Sequence, residues 1–307
     1  MIQRVAVAVG VSNQRSLAWH SALALLRGNE FDHVIVTYQS ERFERSVGKL
    51  VEEQNAAFRK SMESTCSFHS NSNSNSTGSA SAGASVTAKR LSSLQLDVTK
   101  EDEVQSLFEE RLPSLLSSTS NSNNGHEFEL NAIVHSVAYA PPSAMKSSPH
   151  TLPLLHTDLE SFEIAHSVSS YSLITLAKHA LPLLSCQTQT GIQTGTQTQN
   201  HTLNHTRSPS ITTMTYLGST RPVPNYNIMG SAKASLEATV RGLAYELSPP
   251  PHSIRINAIS PGPVHTLAAR GIKDFGTLKH QVDERSLLKR GVTVQEVGDV
   301  VAFVAGG

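Results

Sequence analysis

Short β-branched runs alternate with longer segments of helical period along this chain, and that alternation restricts it to few architectures. Residues 4–9 form an apolar run that enters a turn at Gly10. Further strands are predicted at 34–38, 94–98, 132–136, 211–216 and 254–259. Helices are predicted at 16–27, 40–60, 100–116, 161–184, 226–247 and 293–305, the last opened by a capping-box pair, Thr293 and Glu296. The expected fold class is α/β, a Rossmann-like doubly wound parallel sheet in three αβα layers. After the last helix the sequence reads Gly306-Gly307, where a seventh strand is expected, so the last strand is predicted to be missing.

Three stretches fall outside this pattern: 61–88, 117–125 and 187–208, rich in Ser, Asn, Thr and Gln. They contain too little apolar surface to offset chain entropy and read as disordered inserts in one catalytic domain spanning 1–307. His201 and His205 lie in the third stretch without acidic partners, which argues against a metal site. Asn75, Asn200 and Asn204 satisfy a glycosylation spacing, with nothing else pointing to secretion.

Lys and Arg number 25 against 25 Asp and Glu, so no net field draws the chain to nucleic acid or an anionic membrane. Cys66 and Cys186 form no disulfide framework and suit a reducing compartment. The apolar opening is too short for a signal peptide, and no segment approaches the ~20 apolar residues that span a bilayer. The expectation is a soluble protein of a reducing compartment, which the sequence leaves open: a plastid or mitochondrial matrix had a transit peptide preceded it, otherwise the cytoplasm.

Tyr226 and Lys233 stand seven positions apart, almost two helical turns, so both project from one face. A phenol beside an ammonium is an acid pair. The cation favours phenolate-like character, and the phenol can donate to a developing oxyanion. Tyr216 lies ten residues upstream, where a strand end aims it into the same cleft. Tyr171 and Lys178 share the spacing of the pair, but Tyr171 sits mid-helix and is expected to pack structurally.

Gly10 permits a tight turn after the first strand, and amides at the next helix start can hold a pyrophosphate. The three-glycine fingerprint is absent, so this turn alone equally fits an ordinary strand-to-helix connection. The second strand ends at Gln39 rather than at a carboxylate, and Arg42 and Arg45 follow, which leaves both NADH and NADPH open. Asp97-Val98 suits an adenine contact, and Asp97 or Thr99 equally suits a helix N-cap.

At this point the chain resembles the enoyl-acyl carrier protein reductases of type II fatty acid synthesis, a divergent branch of the short-chain dehydrogenase/reductase superfamily. The resemblance rests on Gly10 with Ser16-Leu17-Ala18, Thr37-Tyr38-Gln39, Asp97-Val98, and His135 through Pro141. It continues in the block from Tyr216 to Lys233, in Asn257 through Pro263, and in Thr266 through Ile272. The superfamily's general pattern places lysine four residues after the tyrosine, where this chain has Gly230. That argues against a carbonyl-reducing relative. The remaining alternative is a catalytically silent dinucleotide-binding protein.

The resemblance implies that Tyr216, Tyr226 and Lys233 are catalytic. It implies that Gly10, Ser16, Leu17, Gln39, Asp97, Val98, Ser136, Val137, Ala138, Lys233, Val264 and Thr266 hold the dinucleotide, NADH with NADPH open. Tyr139, Ala140, Tyr216, Tyr226, Met229, Ala268, Ala269 and Ile272 would contact the acyl substrate, and 267–275 would form a mobile lid. The implied partners are an acyl carrier protein bearing the enoyl group and three further copies in a homotetramer, joined through the helix at 231–247. No metal is implied.

Overall fold

The computed structural model describes residues 3–28, 30–69, 90–118, 128–145, 152–184 and 208–306. Six parallel strands form one sheet: β1 (Gln3–Val9), β2 (His33–Tyr38), β3 (Arg90–Gln95), β4 (Phe128–His135), β5 (Ser210–Met214) and β6 (Arg255–Ile259). Their spatial order is β3-β2-β1-β4-β5-β6, the doubly wound arrangement. The strand order reverses between β1 and β4, and ligands in such sheets sit outside the carboxyl ends at that point.

Both faces of the sheet are covered, and the strand residues alternate between them. Val5, Val7 and Val9 of β1 point into one core with α3 (Glu101–Ser106), α7 (Ser172–Leu184) and α8 (Asn227–Leu247). Ala6 and Ala8 point into the other, against α1 (Leu17–Arg27), α2 (Glu41–His69) and α10 (Val294–Gly306). A register shift between Val5 and Ala6 lets Leu130 face the first core and Ala132 the second. Small residues on the α1 side let that helix approach closely, and Trp19 fills the space between elements.

Several predicted boundaries move. β3 runs over Arg90–Gln95 rather than 94–98: its ladder with β2 runs from Arg90 opposite His33 to Gln95 opposite Tyr38, and Leu96, though buried, lies beyond it. Asp97 and Val98 therefore lie beyond the strand. Helix α2 continues through 61–69, which the sequence reading assigned to the first insert. No strong breaker stops it there, and helix propagation adds a hydrogen bond per residue. Residues 70–88 of that insert lie outside the described residues, as do 119–125 of the second and 187–207 of the third, with Asn75, Asn200, His201, Asn204 and His205.

The predicted helix at 100–116 is α3, a π turn over Leu107–Arg111, and α4 (Leu112–Ser118). The N-cap of α3 is Lys100, not Asp97 or Thr99. Asp97 instead closes a turn, accepting the Thr99 amide at 3.0 Å and hydroxyl at 2.7 Å. The predicted helix at 161–184 opens earlier, at α6 (Leu159–His166), because the Asp158 carboxylate accepts the Ser161 amide at 2.6 Å. It then passes through a π turn at Ser167–Tyr171 before α7. Two helices were not predicted: α5 (Pro142–Met145) and α9 (Phe275–Arg285). The first is a single turn, and the second buries no residue: its Phe275, Leu278 and Val282 stand at helical spacing but stay partly exposed. Among the described residues, no helix is long and apolar enough to cross a membrane. The Thr293–Glu296 box is formed, with the Glu296 amide donating to the Thr293 hydroxyl at 3.2 Å and Thr293 N–H to the carboxylate at 2.8 Å.

Candidate active site

Every strand of the sheet ends at a residue singled out from sequence. Gly10 follows β1, Gln39 follows β2, Asp97 and Val98 lie just past β3, Ser136 follows β4, and Tyr216 lies just past β5. Val264 and Thr266 come after β6. The carboxyl ends of a parallel sheet thus gather these positions along one edge.

Gly10 has φ of +104°, a backbone state that L side chains rarely adopt. A Cβ there would stand 2.6 Å from the Ser136 carbonyl and 2.7 Å from Val137 Cγ1. The glycine therefore lets β1 and β4 part at the switch point with no side chain between them. The Ser16 hydroxyl accepts the Ser12 and Asn13 amides at 3.3 and 3.2 Å and donates back to the Asn13 carbonyl. This folds residues 12–16 into a tight connection that leads the chain into α1. A glycine cradle ahead of a helix start suits a pyrophosphate, so these residues fit a dinucleotide. Gln39, Arg42 and Arg45 are all exposed beside that edge. Val264 packs against the α1-side core, and the Thr266 hydroxyl accepts the Ala269 amide at 3.2 Å.

The tyrosine–lysine pair sits at the start of α8. Tyr226 is its N-cap residue, and Lys233 lies two turns in. Both are buried, at 8% and 4% exposure. The Lys233 ammonium donates to the Met214 carbonyl at 2.7 Å, which ties α8 to the end of β5. Burial lowers the Lys233 pKa to about 8, and Glu237 one turn later opposes the shift. Burial raises the Tyr226 phenol well above its ordinary value, with the Tyr216 phenol a second cause. The expectation that Lys233 draws Tyr226 toward phenolate character is therefore corrected. Burial thus favours the protonated phenol, which is able to donate a hydrogen bond.

The segment after β5 is pressed onto Tyr226. A Cβ at Gly218 would stand 2.3 Å from Tyr226 Cδ1, and one at Gly230 would stand 2.8 Å from the Gly218 carbonyl. Position 230 thus has no room for the lysine that the carbonyl-reducing pattern requires. The Tyr216 ring meets the Tyr226 ring at a centroid distance of 4.9 Å.

An apolar cluster surrounds this pair. Tyr226, Ile228 and Met229 pack with Ala144, Met145 and Ala165, and Ala138, Ala140, Tyr216 and Ile272 line the same cluster. Of the sequence-predicted substrate contacts, Tyr139, Ala268 and Ala269 lie outside this cluster. Tyr139 is 51% exposed, its backbone N–H held by the Ser169 hydroxyl at 3.1 Å, and Ala268 is exposed. Ala269 is buried in a 3-10 turn over Ala268–Gly271. The Lys273 carbonyl accepts from the Asn225 amide at 2.9 Å, which joins the predicted lid to the residue before Tyr226. Tyr171, expected to pack, is 51% exposed, and Lys178 pairs instead with Glu101 at 2.6 Å.

His135 opens the 135–141 motif in the sequence, but the sequence assigned it no role. It is wholly buried, with Nδ1 2.7 Å from the Thr213 hydroxyl and Nε2 2.8 Å from that of Ser172. Burial, then the Lys233 charge, lowers its pKa to about 3, so it stays neutral. The signal for it was a histidine that closes the apolar run Ala132-Ile133-Val134 of β4.

The family model described as "Enoyl-(Acyl carrier protein) reductase" matches residues 65–306. The enoyl-[acyl-carrier-protein] reductase [NADH] FabI of Bacillus subtilis is 32% identical over 300 residues, covering 97% of this chain and 87% of that protein. Its Bacillus cereus counterpart is 31% identical, covering 97% and 88%. Among solved structures, the Aquifex aeolicus enoyl-[acyl-carrier-protein] reductase (NADH) superposes with a TM-score of 0.68 at 28% identity, covering 99% of this chain and 89% of that one. The Bacillus cereus enoyl-acyl carrier protein reductase bound to NADP+ and an indole naphthyridinone gives 0.68 at 30% identity, covering 98% and 88%. With a glycine cradle at the switch point and a buried tyrosine–lysine pair beside it, this chain belongs to the enoyl-acyl carrier protein reductase family.

Proposed function

We infer that this chain reduces trans-2-enoyl thioesters of type II fatty acid synthesis with NADH, and we propose that Tyr226, Lys233 and Tyr216 carry the reaction. The single observation behind the residue assignment is the buried pair of Tyr226 and Lys233 at the carboxyl edge of the sheet, walled by an apolar cluster. When bound, the dinucleotide supplies a hydride to the β carbon of the enoyl group, and protonation of the α carbon completes the reduction.

The protein's part is to hold and to polarise. Negative charge moves to the thioester carbonyl oxygen as the β carbon is reduced, and the protonated Tyr226 phenol donates a hydrogen bond to that oxygen. A preorganised donor in a water-poor site contributes ~3–4 kcal/mol to such a step. Lys233 holds the ribose hydroxyls of the nicotinamide half. Gly10, Ser16, Leu17, Gln39, Asp97, Val98, Ser136, Val137, Ala138, Val264 and Thr266 form the rest of the groove. Tyr216, Met229, Ala140, Ala269 and Ile272 shape the acyl pocket.

The substrate arrives on an acyl carrier protein, and the chain assembles as a homotetramer through α8. Tyr245 on α8 is 85% exposed, and Tyr171 and Ile174 on neighbouring turns are also exposed, which supports a contact face there. Light scattering of the purified protein tests the assembly. The activity is tested by following NADH and, separately, NADPH with crotonyl thioester. Oxidation of NADH that depends on the thioester supports the reading, and tight NADH binding without turnover supports a silent binding protein instead.

A further inference from the structure

One carboxylate beside the catalytic pair has no role in the account above. Glu237 lies one turn beyond Lys233 on α8 and is half-buried. Its Oε1 accepts the Thr215 hydroxyl at 2.7 Å and the Ser219 hydroxyl at 2.5 Å. Those two residues bracket Tyr216, Leu217 and Gly218, so a single oxygen fastens both ends of the segment that carries Tyr216. Charge-assisted hydrogen bonds of this kind are short and roughly twice as strong as neutral ones.

The fastening bears on catalysis because the bracketed segment is what touches Tyr226. Gly218 lies against the Tyr226 ring on one side and Gly230 on the other. Residues 215–219 are thus clamped between the first turn of α8 and a carboxylate two turns further along. The same carboxylate faces Lys233 electrostatically, opposing the loss of charge that burial imposes.

We propose that Glu237 is a positioning residue that holds the Tyr216 segment against α8, one helical turn from Lys233. The proposal rests on the functional reading above. It predicts two separable effects, because hydrogen-bond acceptance and charge are different properties of one group. The other titratable group that bears on Lys233 is His135 on β4, which burial keeps neutral. The Tyr216 and Tyr226 phenols are both held protonated by burial.

The test compares the full-length protein with E237Q, E237A and S219A. NADH affinity is read by fluorescence from pH 6 to 10, and kcat and KM for crotonyl thioester over roughly the same range. Glutamine keeps an acceptor oxygen but removes the charge, so E237Q moves the alkaline limb of NADH affinity and of kcat/KM to lower pH. E237A moves the limb and also lowers kcat roughly tenfold or more, with KM less affected, as displaced reacting groups do. S219A lowers kcat while leaving the limb in place. Wild-type kcat and an unmoved limb in both Glu237 variants would overturn the proposal. Should E237A fail to fold, the contrast between E237Q and S219A decides. A limb moved by E237Q in a protein that reduces no enoyl thioester would sink the functional reading and leave the Glu237–Lys233 coupling standing.

Discussion

The Tyr216 and Tyr226 rings meet at a centroid distance of 4.9 Å with planes tilted by 59°. Each ring therefore shields the other from water, and burial raises both phenols above their ordinary range. The two phenols, one buried and one half-buried, face the same apolar cluster. Tyr226, the better enclosed, is the one whose hydrogen bond gains most from exclusion of water.

Lys233 is expected to set the alkaline limit of activity. Its folded pKa is lowered to about 8 from an ordinary value of 10.5, so the ammonium is present below pH 8 and lost above it. The kcat/KM profile is expected to be level near neutrality and to fall about tenfold per pH unit beyond that point. Lys233→Met should weaken NADH binding at pH 7 and remove the limb from the affinity profile. A limb that persisted in the methionine variant would assign it to another group.

Gly218→Ala drives a methyl group into the Tyr226 ring, 2.3 Å from Cδ1. Overpacking of this size costs about 1–3 kcal/mol in stability. The expected kinetic result is a fall in kcat of roughly a hundredfold, the scale of a misplaced catalytic group. Steady-state kinetics with a denaturation curve on the same variant check both parts.

Gly10→Ala introduces a side chain at φ of +104° and 2.6 Å from the Ser136 carbonyl. The strand ends must then separate or the turn must rearrange. NADH affinity, measured by fluorescence, is expected to fall at least tenfold, as an order of magnitude for a cradle that has lost its shape. Unchanged affinity would remove Gly10 from the cofactor groove.

Acid should destabilise the fold through two buried histidines. His135 titrates at about 3 and His33 at about 4 in the folded protein, against 6.5 for the free side chain, with burial the leading cause at each. Between pH 6.5 and 4 the unfolded chain binds more protons at both positions. Their contribution to stability is complete above 6.5 and is lost as pH falls, at about 1.4 kcal/mol per pH unit for each histidine. Urea unfolding at pH 7 and pH 5 measures the slope, and His33→Gln should reduce it. A slope insensitive to that substitution would contradict the assignment.

The sheet was legible because burial on both faces leaves β-branched runs in the strands and turn residues after them, as at Val5–Val9 before Gly10. The chemistry of α8 was legible because helical spacing alone brings Tyr226 and Lys233 to one face. Other features leave weaker traces. The π turn at Ser167–Tyr171 is a backbone detail within an otherwise regular helical pattern, yet it supplies Ser169 to the Tyr139 amide and precedes Ser172, the partner of His135. Helix α9 buries no residue, and its three apolar positions, Phe275, Leu278 and Val282, make only a short helical pattern. Glu237 reads as an ordinary helix carboxylate until the fold brings Thr215 and Ser219 to it. The protonation of Tyr226 depends on how deeply its ring is enclosed, which spacing does not encode.

The most direct measurement of the account is NADH oxidation on addition of crotonyl thioester, in the wild-type protein and in Tyr226→Phe. The phenylalanine ring keeps the packing against Gly218 and Tyr216 and removes only the donor. The account predicts thioester-dependent oxidation by the wild type, a loss of kcat on the order of a hundred- to a thousandfold in the variant, and unchanged NADH affinity. Equal rates in the two proteins would contradict it.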